Sequence, residues 1–438
     1  MASAESSLLV ARATQAQAAV HALPLDERLE RAGRARRALE AAGPAIVDEA
    51  VRECAQTVRF ARRELASALD FLTALPGLAE AIRPRPVPAV SGTTELEWAP
   101  YGVVLGWHAA NSPIWVPTVV AASALVGGNT VLARPSRRTR ATSGMVLQAL
   151  AGPWPDGALQ MVAMDPEEAE ALLVHEGVHA VVAHASTTTV KRQIARLAAA
   201  YGEGASLRPY IAEASGNDPA VVLADADPAA AARAVAVGAF TNAGQLCMAA
   251  KRIIVERDVW EAFRVHLVRE VERLVLGDPR REETDVGPFS GPGAGWARTA
   301  LAEALALGGE VVAGEGERGP FFTPTVVLLP REARDTLLWR EESFAPLRGV
   351  MLADGPEDAL ALANDSPFAL GAAVFGAADA ERVAAGVRAA RVLVNEGPLY
   401  ADPYLVVGGV GDSGFGGARP KLEQLVYARR VHRGGPGP

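Results

Sequence analysis

Residues 96–136 read LEWAPYGVVLGWHAANSPIWVPTVVAASALVGGNTVLARPS. An apolar run typical of a strand (residues 96–108) is followed by a helix-length apolar segment (112–128) and then by a second strand (129–136). Strand, helix and strand in this order predict two parallel strands joined by a crossover helix. Parallel sheets of this kind bind ligands at the carboxyl ends of their strands.

The same alternation extends along most of the chain. Strand-like and helical segments continue to about residue 185, and a second set begins near Pro219. Residues 1–81 have helical periodicity, with Pro24 and Gly43 as expected interruptions, and the proline-rich residues 83–95 are expected to be a linker or an edge segment. We therefore expect an α/β fold with two doubly wound domains of similar size.

Composition restricts the classes of partner. The net charge is −8 with no basic block, which argues against nucleic acid and anionic membranes. The apolar run of residues 116–126 is shorter than the roughly 20 residues that span a bilayer, and the N-terminus lacks the features of a signal peptide. Two cysteines make no disulfide framework. We expect a cytoplasmic protein.

The seven histidines have no metal-binding spacing. His175 and His179 are four residues apart, but the stretch HEGVH lacks the HExxH pattern and has no obvious third ligand. Scattered surface or core histidines are the expectation, and no metal site is predicted.

Residues 241–252, TNAGQLCMAAKR, contain one of the two cysteines, Cys247. It follows a bend of small residues, Asn242-Ala243-Gly244. Taken alone, this stretch fits a nucleophile on a turn and a buried inert thiol equally well. Asn111, in HAANSPIW, is similarly open between a polar site residue and a helix N-cap.

Ten segments together resemble the aldehyde dehydrogenase superfamily, in that family's order. They include PYGVVLGWHAANSP, EASGNDPAVVLADAD, NAGQLCMAAKRIIV, EESFAPL and VGGVGDSGFG, and they run from about residue 95 to residue 430. The resemblance implies a Rossmann-like cofactor domain with N-terminal helices (1–213), a catalytic domain (214–402) and a C-terminal segment (403–438) that returns to the cofactor domain as an oligomerisation element. A homodimer is expected, with a homotetramer left open.

The resemblance assigns three catalytic roles for the NAD(P)-dependent oxidation of an aldehyde to an acid. Cys247 would attack the aldehyde and form a thiohemiacetal and then a thioester. The Asn111 amide, with the backbone N–H of Cys247, would stabilise the alkoxide. Glu213 would activate the water that hydrolyses the thioester. A CoA-acylating dehydrogenase or an acyl-thioester reductase on the same fold is the alternative, and a non-catalytic binding protein is disfavoured because all three residues are present.

The cofactor segments contain departures from the family pattern. Arg137 occupies the place where NAD-preferring members often carry a glutamate, so we expect NADP in preference to NAD. The segment AHASTTTVKRQI offers Ser186 at the expected pyrophosphate site but has no glycine there. The expected cofactor-binding residues are Arg134, Ser136, Arg137, Ser186, Glu342 and Phe344.

The expected substrate pocket lacks two aromatic residues that are common in the family. Ala110 and Ser112 flank Asn111 where a Trp and a Phe are usual, which predicts a wider and more polar pocket for a bulky or polar aldehyde. Trp115 and Tyr400 are further candidates for its lining. Ser215 replaces a usual glycine two residues after Glu213, so the local path of that loop is expected to differ.

Overall fold

The computed structural model describes residues 4–289, 292–405 and 408–434. Its α-helices are α1 (Ala4–Ala22), α2 (Leu25–Cys54), α3 (Val58–Ala79), α4 (Trp115–Val126), α5 (Arg140–Ala151), α6 (Pro166–Leu173), α7 (Thr187–Gly202), α8 (Pro228–Phe240), α9 (Arg257–Glu272), α10 (Pro292–Ala306), α11 (Leu337–Arg340), α12 (Pro356–Asn364), α13 (Ala380–Gly386) and α14 (Lys421–Gln424). Short 3-10 helices span Glu80–Ile82, Arg137–Thr139, Thr241–Gly244 and Arg331–Asp335.

The strands belong to two large sheets and several small ones. They are β1 (Arg85–Val87), β2 (Thr93–Pro100), β3 (Val103–Trp107), β4 (Thr130–Arg134), β5 (Leu159–Met161), β6 (Ala180–His184), β7 (Tyr210–Glu213), β8 (Asp218–Val222), β9 (Ala250–Glu256), β10 (Glu310–Ala313), β11 (Glu317–Arg318), β12 (Phe321–Phe322), β13 (Thr325–Leu328), β14 (Leu347–Ala353), β15 (Phe368–Ala369), β16 (Gly371–Phe375), β17 (Arg391–Val394), β18 (Val410–Gly411), β19 (Gly414–Phe415) and β20 (Val426–Arg433).

Both large sheets are mainly parallel, as the alternation of strands and helices predicts. The first has the order β19-β7-β6-β3-β4-β5, in which only β19 is antiparallel to its neighbour. The second has the order β10-β13-β14-β9-β8-β16-β17, in which only β10 is antiparallel. Crossover helices connect the parallel strands, so the carboxyl ends of the central strands in each sheet lie at one edge.

The predicted strand over residues 96–108 is wrong in one respect, because the chain forms two strands there. β2 belongs to a small antiparallel sheet with β1 and β20, whereas β3 lies in the first large sheet. Gly102 separates them with φ +126°, a backbone conformation that L side chains rarely adopt. Residues 83–95 include β1 at an edge of the small sheet, as expected.

The expected interruption at Gly43 is also wrong. Helix α2 continues through Gly43 and Pro44 without a break. Gly43 is buried, and a Cβ placed there would lie 2.7 Å from Leu65 Cδ2 of α3. The glycine therefore allows close packing of two helices, and tertiary contact outweighs its low helix propensity. The predicted break at Pro24 separates α1 from α2.

The C-terminal segment returns to the first half of the chain. Strand β19 pairs with β7, and β20 pairs with all eight residues of β2. The expected boundary at residue 213 coincides with the last residue of β7. The division into domains at residues 213 and 402 stays a prediction.

The helical segment predicted after β3 is α4, which is buried at almost every position and packs against the first sheet. Helix α3 with its 3-10 extension, Val58–Ile82, is long and apolar enough to cross a membrane by length and composition. In this structure Phe71, Leu72 and Leu75 of α3 contribute to the core, and the helix packs against α2 and α4. This packing accounts for its apolar character.

Candidate active site

A cavity of about 760 Å³ receives residues from the carboxyl ends of the first sheet and from the loop before β9. Most of the residues expected in the site line it: Cys247, Glu213, Asn111, Ser186, Glu342, Phe344, Ala110, Ser112, Trp115 and Tyr400. Arg134, Ser136 and Arg137 are not part of this lining and lie at the end of β4. The roles expected for all these residues stay predictions.

The loop before Cys247 has an unusual backbone. Helix α8 ends at Phe240, and the residues of the expected bend, Asn242, Ala243 and Gly244, follow with φ values of 54°, 53° and 75°. A left-handed conformation costs a non-glycine residue about 1–2 kcal/mol, so other contacts must hold the loop.

The buried guanidinium of Arg348, on β14, supplies such contacts. It donates to the carbonyl oxygens of Ala239 (2.5 Å) and Gly244 (3.2 Å) on one side and of Ala345 (2.7 Å) on the other. A Cβ at Gly244 would lie only 2.2 Å from Arg348 Nη2. Arg348 therefore fixes the loop that precedes Cys247 relative to the loop that carries Phe344.

Cys247 contacts a carboxylate directly. Its Sγ donates to Glu213 Oε1 at 3.4 Å. Burial, followed by the nearby charge of Glu213, raises the pKa of Cys247 well above its usual value. The thiol is therefore protonated at rest, and Glu213 is the group placed to accept its proton.

Glu213 is the last residue of β7 and is buried. Its second oxygen, Oε2, lies 3.4 Å from His184 Nε2, and Lys421 is a nearby positive charge. Burial acts to raise the pKa of Glu213, but His184, Lys421 and the Cys247 thiol outweigh it and hold that pKa below its usual value. The carboxylate is therefore ionised at neutral pH.

A buried lysine lies beneath the cysteine. Lys251 Nζ donates to the carbonyl oxygens of Leu246 (2.8 Å) and Cys247 and lies 3.8 Å from Glu342 Oε1. Glu342 Oε1 also accepts from the backbone N–H of Gly216 at 2.8 Å. One oxygen of Glu342 is thus engaged within the protein. The cofactor contact expected of Glu342 would use the other oxygen.

Asn111 is not the N-cap of α4, so that interpretation of its sequence context is wrong. The N-cap is Ile114. The backbone N–H groups of Ile114 and Trp115 donate instead to Glu64 Oε1 of α3, at 2.8 and 2.9 Å. Burial raises the pKa of Glu64 to about 7. The Asn111 side chain therefore has no capping role and lies at the cavity.

Arginines gather at the end of β4. The Arg134 guanidinium lies over the Trp107 ring at 4.3 Å, and Arg137 and Arg140 approach Asp165 at 3.5 and 4.0 Å. Burial, followed by the charges of Arg140 and Arg137, lowers the pKa of Arg134. In the described part of the chain, the buried Nε atoms of Arg134 and Arg140 have no hydrogen-bond partner. This excess of cationic donors fits a phosphate-bearing ligand.

Helix α7 begins at the cavity. Its N-cap is Ser186, whose hydroxyl accepts from the Thr189 N–H at 3.3 Å, and Ser186 also lines the cavity. Ser215 Oγ accepts from the Thr187 N–H at 3.2 Å. Ser215 therefore ties the loop after Glu213 to the start of α7, and the N-terminus of this 16-residue helix offers a positive dipole end to an anion.

Comparison with known proteins decides the family. The sequence profile of the aldehyde dehydrogenase family matches residues 2–429. The chain belongs to the aldehyde dehydrogenase family. A vanillin dehydrogenase of Pseudomonas fluorescens is 33% identical, over 98% of this chain and 89% of its own length. An NADP(+) succinate-semialdehyde dehydrogenase of Deinococcus radiodurans is 32% identical, over 98% of this chain and 90% of its own.

Solved structures of aldehyde dehydrogenases have the same fold. The aldehyde dehydrogenase of Brucella melitensis biovar abortus superposes with a TM-score of 0.92 at 25% identity, covering 98% of this chain and 89% of that one. The NADP-dependent glyceraldehyde-3-phosphate dehydrogenase of Bacillus halodurans, complexed with NADP, has a TM-score of 0.90 at 25% identity, covering 98% and 91%. The predicted aldehyde dehydrogenase fold and the activity class, NAD(P)-dependent oxidation of an aldehyde, are confirmed.

Sequence reasoning missed three polar residues of this aldehyde dehydrogenase site: His184, Lys421 and Glu64. His184 was grouped with the scattered histidines, although it ends a buried parallel strand, where ligands bind. Lys421 and Glu64 carry no local signal, because they reach the site from distant segments. Among the described residues, no group of three or more His, Cys, Asp or Glu side chains is placed to hold a metal ion.

Proposed function

We propose that this chain oxidises its aldehyde through a thioester on Cys247 and hydrolyses that thioester with Glu213. The observation that carries the proposal is the 3.4 Å contact between Cys247 Sγ and Glu213 Oε1 in the cavity that Asn111 also lines. The contact favours hydrolysis over the CoA-acylating alternative, since it puts a base beside the acylated sulfur.

In the first half of the reaction, Cys247 Sγ bonds to the aldehyde carbon while its proton passes to Glu213. The carbonyl oxygen becomes an alkoxide, which the Asn111 amide stabilises as a hydrogen-bond donor. When bound, a nicotinamide dinucleotide supplies the acceptor for the hydride that leaves the same carbon. Loss of that hydride leaves an acyl group on Cys247.

In the second half, Glu213 releases its first proton to solvent and accepts another from a water molecule. The water oxygen bonds to the thioester carbon, the C–S bond breaks, and the carboxylic acid leaves. Glu213 passes the proton it took from water to the leaving sulfur, which restores the protonated Cys247 and the Glu213 carboxylate. The pKa of Glu213, held below its usual value, keeps it in the basic form that this step needs.

We propose that the dinucleotide lies between the arginines at the end of β4 and the N-terminus of α7, and that NADP is preferred to NAD. Ser136, whose Oγ accepts from the Arg138 N–H at 3.3 Å, begins the turn that presents Arg137. A 2′-phosphate suits a guanidinium because the two bind in bidentate fashion. The Ser186 hydroxyl and the α7 dipole suit the diphosphate, and Glu342 and Phe344 suit the nicotinamide half.

For the aldehyde we propose a bulky, uncharged molecule, such as an aromatic aldehyde, which is the bulky one of the two classes expected from the sequence. Phe60, Leu246 and Leu399 form an apolar cluster beside Cys247, and Trp115 and Tyr400 add aromatic lining. Two arginines of the lining, Arg63 and Arg391, donate to the carbonyl oxygens of residues 398–400. Because these guanidinium groups hold that loop, they offer little to a carboxylate on a substrate. The vanillin dehydrogenase similarity agrees with this proposal.

The test is the rate of NADPH formation with vanillin, benzaldehyde and succinate semialdehyde, with and without added CoA. We expect the aromatic aldehydes to have the highest kcat/KM, no need for CoA, and no activity after Cys247→Ala. The matched control is Cys54→Ala, because Cys54 lines the same cavity but lacks the contact with Glu213 that Cys247 has. Activity that survives Cys247→Ala would reject the proposed chemistry.

We also propose that the chain assembles as a homodimer through β20. In the described structure β20 pairs only with β2, so its other edge offers free N–H and C=O groups to a second copy. The free edge of β20 accounts for a dimer and does not bear on a tetramer. We also propose a cytoplasmic location for the protein, as expected from the sequence.

A further inference from the structure

We infer that His184 is a positioning residue for Glu213: it lies against one oxygen of the carboxylate, so that the other faces Cys247 and the hydrolytic water, and Lys421, in the same cavity lining, is the accompanying positive charge. This inference rests on the proposed role of Glu213 and adds to it. It concerns two residues that the proposed mechanism does not itself use.

The sheet brings His184 and Glu213 together. They are the last residues of the adjacent parallel strands β6 and β7 and are direct partners in the register. Partners on adjacent parallel strands extend their side chains from the same face, with the strands about 4.8 Å apart. His184 Nε2 accordingly lies 3.4 Å from Glu213 Oε2, while Cys247 Sγ lies 3.4 Å from Oε1. The two oxygens therefore have separate neighbours, although the His184 Nε2–Glu213 Oε2 approach does not meet hydrogen-bond geometry in this structure.

The charged and titratable groups around this carboxylate all favour that arrangement. Burial lowers the pKa of His184, so it is neutral at neutral pH, and a proton on Nε2 gives the carboxylate a donor. His108, at the end of β3, faces His184 from the other side, and burial lowers the pKa of His108 to about 3. His108 thus stays neutral and does not compete for the charge of Glu213.

Lys421 supplies the positive charge. It is the first residue of α14, in the C-terminal segment that returns to the first sheet, and it is buried. Burial lowers the pKa of Lys421, and the charge of Glu213 opposes that shift. A carboxylate in a dry site needs both donors and an opposite charge to stay ionised. In this proposal His184, 3.4 Å away, is the donor for Oε2, and Lys421 is the opposite charge.

The cofactor-free enzyme allows a direct test, because an activated ester such as p-nitrophenyl acetate can acylate Cys247 without hydride transfer. The initial burst of nitrophenolate reports acylation, and the steady rate reports hydrolysis by Glu213. We would measure both against pH in His184→Val, His184→Gln and Lys421→Met, with His21→Ala, an exposed histidine at the end of α1, as the control.

Loss of His184 or Lys421 should leave burial dominant and raise the pKa of Glu213, and a carboxylate with a raised pKa loses its basic form at higher pH. We therefore expect His184→Val and Lys421→Met to keep the amplitude of the burst but shift the acid limb of the steady rate upward by about one pH unit or more. His184→Gln, which keeps a neutral N–H donor, should restore most of the rate. His21→Ala should match the wild type.

The inference is overturned if the steady rate keeps its wild-type pH dependence in His184→Val and Lys421→Met. It is also overturned if burst and steady rate fall equally at every pH in variants that are folded by circular dichroism, since the change is then not one in the protonation of Glu213. If His184→Val does not fold, Lys421→Met and His184→Gln decide the same question. Absence of a burst in the wild type, or a burst that survives Cys247→Ser, would instead reject the proposed function.

Discussion

At the scale of single residues, the proposed chemistry depends on Asn111 being free to donate. Its side chain has no capping role, because Glu64 caps the N-terminus of α4. Removal of one oxyanion-hole donor lowers kcat by about 10²–10³-fold in a serine protease. We expect a loss of that size in Asn111→Ala with vanillin and NADP. Ser112→Ala, in the same cavity, is the control and should retain kcat within a few-fold. Equal losses in the two variants would contradict the role of Asn111.

Cofactor preference also belongs to this scale. Arg137 is the exposed member of the arginine cluster, and its single carboxylate contact, Asp165, is 3.5 Å away. A hydrogen bond to a charged group contributes about 1.5–3 kcal/mol, or roughly 10–150-fold in binding. Arg137→Glu should therefore lower kcat/KM for NADP by at least about tenfold and change that for NAD much less.

The matched control for Arg137→Glu is Arg264→Glu, which makes the same charge change on the exposed face of α9. It should leave the ratio of the two kcat/KM values unchanged. An unchanged ratio in Arg137→Glu would show that the preference is set elsewhere.

The sequence alone was enough to propose the three catalytic candidates, but not the residues that surround Glu213. Cys247, Glu213 and Asn111 lie in recognisable segments, and the cavity brings them together. His184 and Lys421 reach Glu213 through strand register and through a segment that returns late in the chain. Such contacts depend on tertiary structure, which local patterns do not encode.

At the scale of elements, the loop before Cys247 is held by Arg348 rather than by its own backbone preference. The buried guanidinium donates to carbonyl oxygens of the α8 terminus, the loop and the segment before β14. Arg348→Met would leave several buried carbonyls unsatisfied, each at a cost of about 1–3 kcal/mol. We expect the free energy of unfolding, measured by denaturant titration, to fall by at least about 3 kcal/mol.

Arg257→Met is the control for that measurement. Arg257 makes an exposed ion pair with Asp354 at 3.0 Å, and such pairs contribute about 1 kcal/mol or less. A similar small change in both variants would contradict the role assigned to Arg348.

The same scale explains two errors made from the sequence. A single strand was predicted over residues 96–108 because the apolar pattern continues, yet Gly102 turns the chain into another sheet. Gly43 was predicted to interrupt a helix because glycine has low helix propensity, yet close packing on Leu65 favours it there. In both cases the role of the glycine depends on tertiary structure, which hydrophobic periodicity and helix propensity do not reveal.

At the scale of the whole molecule, the proposed dimer places the free edge of β20 against a second copy. Amide hydrogen exchange across residues 426–433 should then be slow at every position when the protein is concentrated. On dilution below the dissociation range, the amides that face away from β2 should exchange quickly, because they lose their partners.

Native mass spectrometry of the concentrated protein, in which the β20 amides exchange slowly, should show twice the mass of one chain. Exchange in β20 that is independent of concentration, together with a monomer mass, would contradict assembly through this strand. As a control, β6 should keep the same exchange rate at all concentrations, because it lies in the interior of the first sheet.

The whole architecture was also the most predictable feature. Alternating strands and helices predicted the two parallel sheets, since that pattern has few stable solutions. The pairing of β2 with β20 and of β7 with β19 joins distant parts of the chain. The family resemblance gave only the expectation that the C-terminal segment returns to the cofactor domain, and not these pairings.

The most direct test of the central claim is the mass of the enzyme after mixing Glu213→Gln with vanillin and NADP. If Cys247 carries the thioester and Glu213 hydrolyses it, this variant should release at most one equivalent of NADPH and accumulate the acyl group. The release should be slower than in the wild type, because Glu213 also accepts the Cys247 proton. Peptide mapping should then place the added mass on Cys247. An unmodified Cys247 during turnover, or wild-type turnover by Glu213→Gln, would contradict the account.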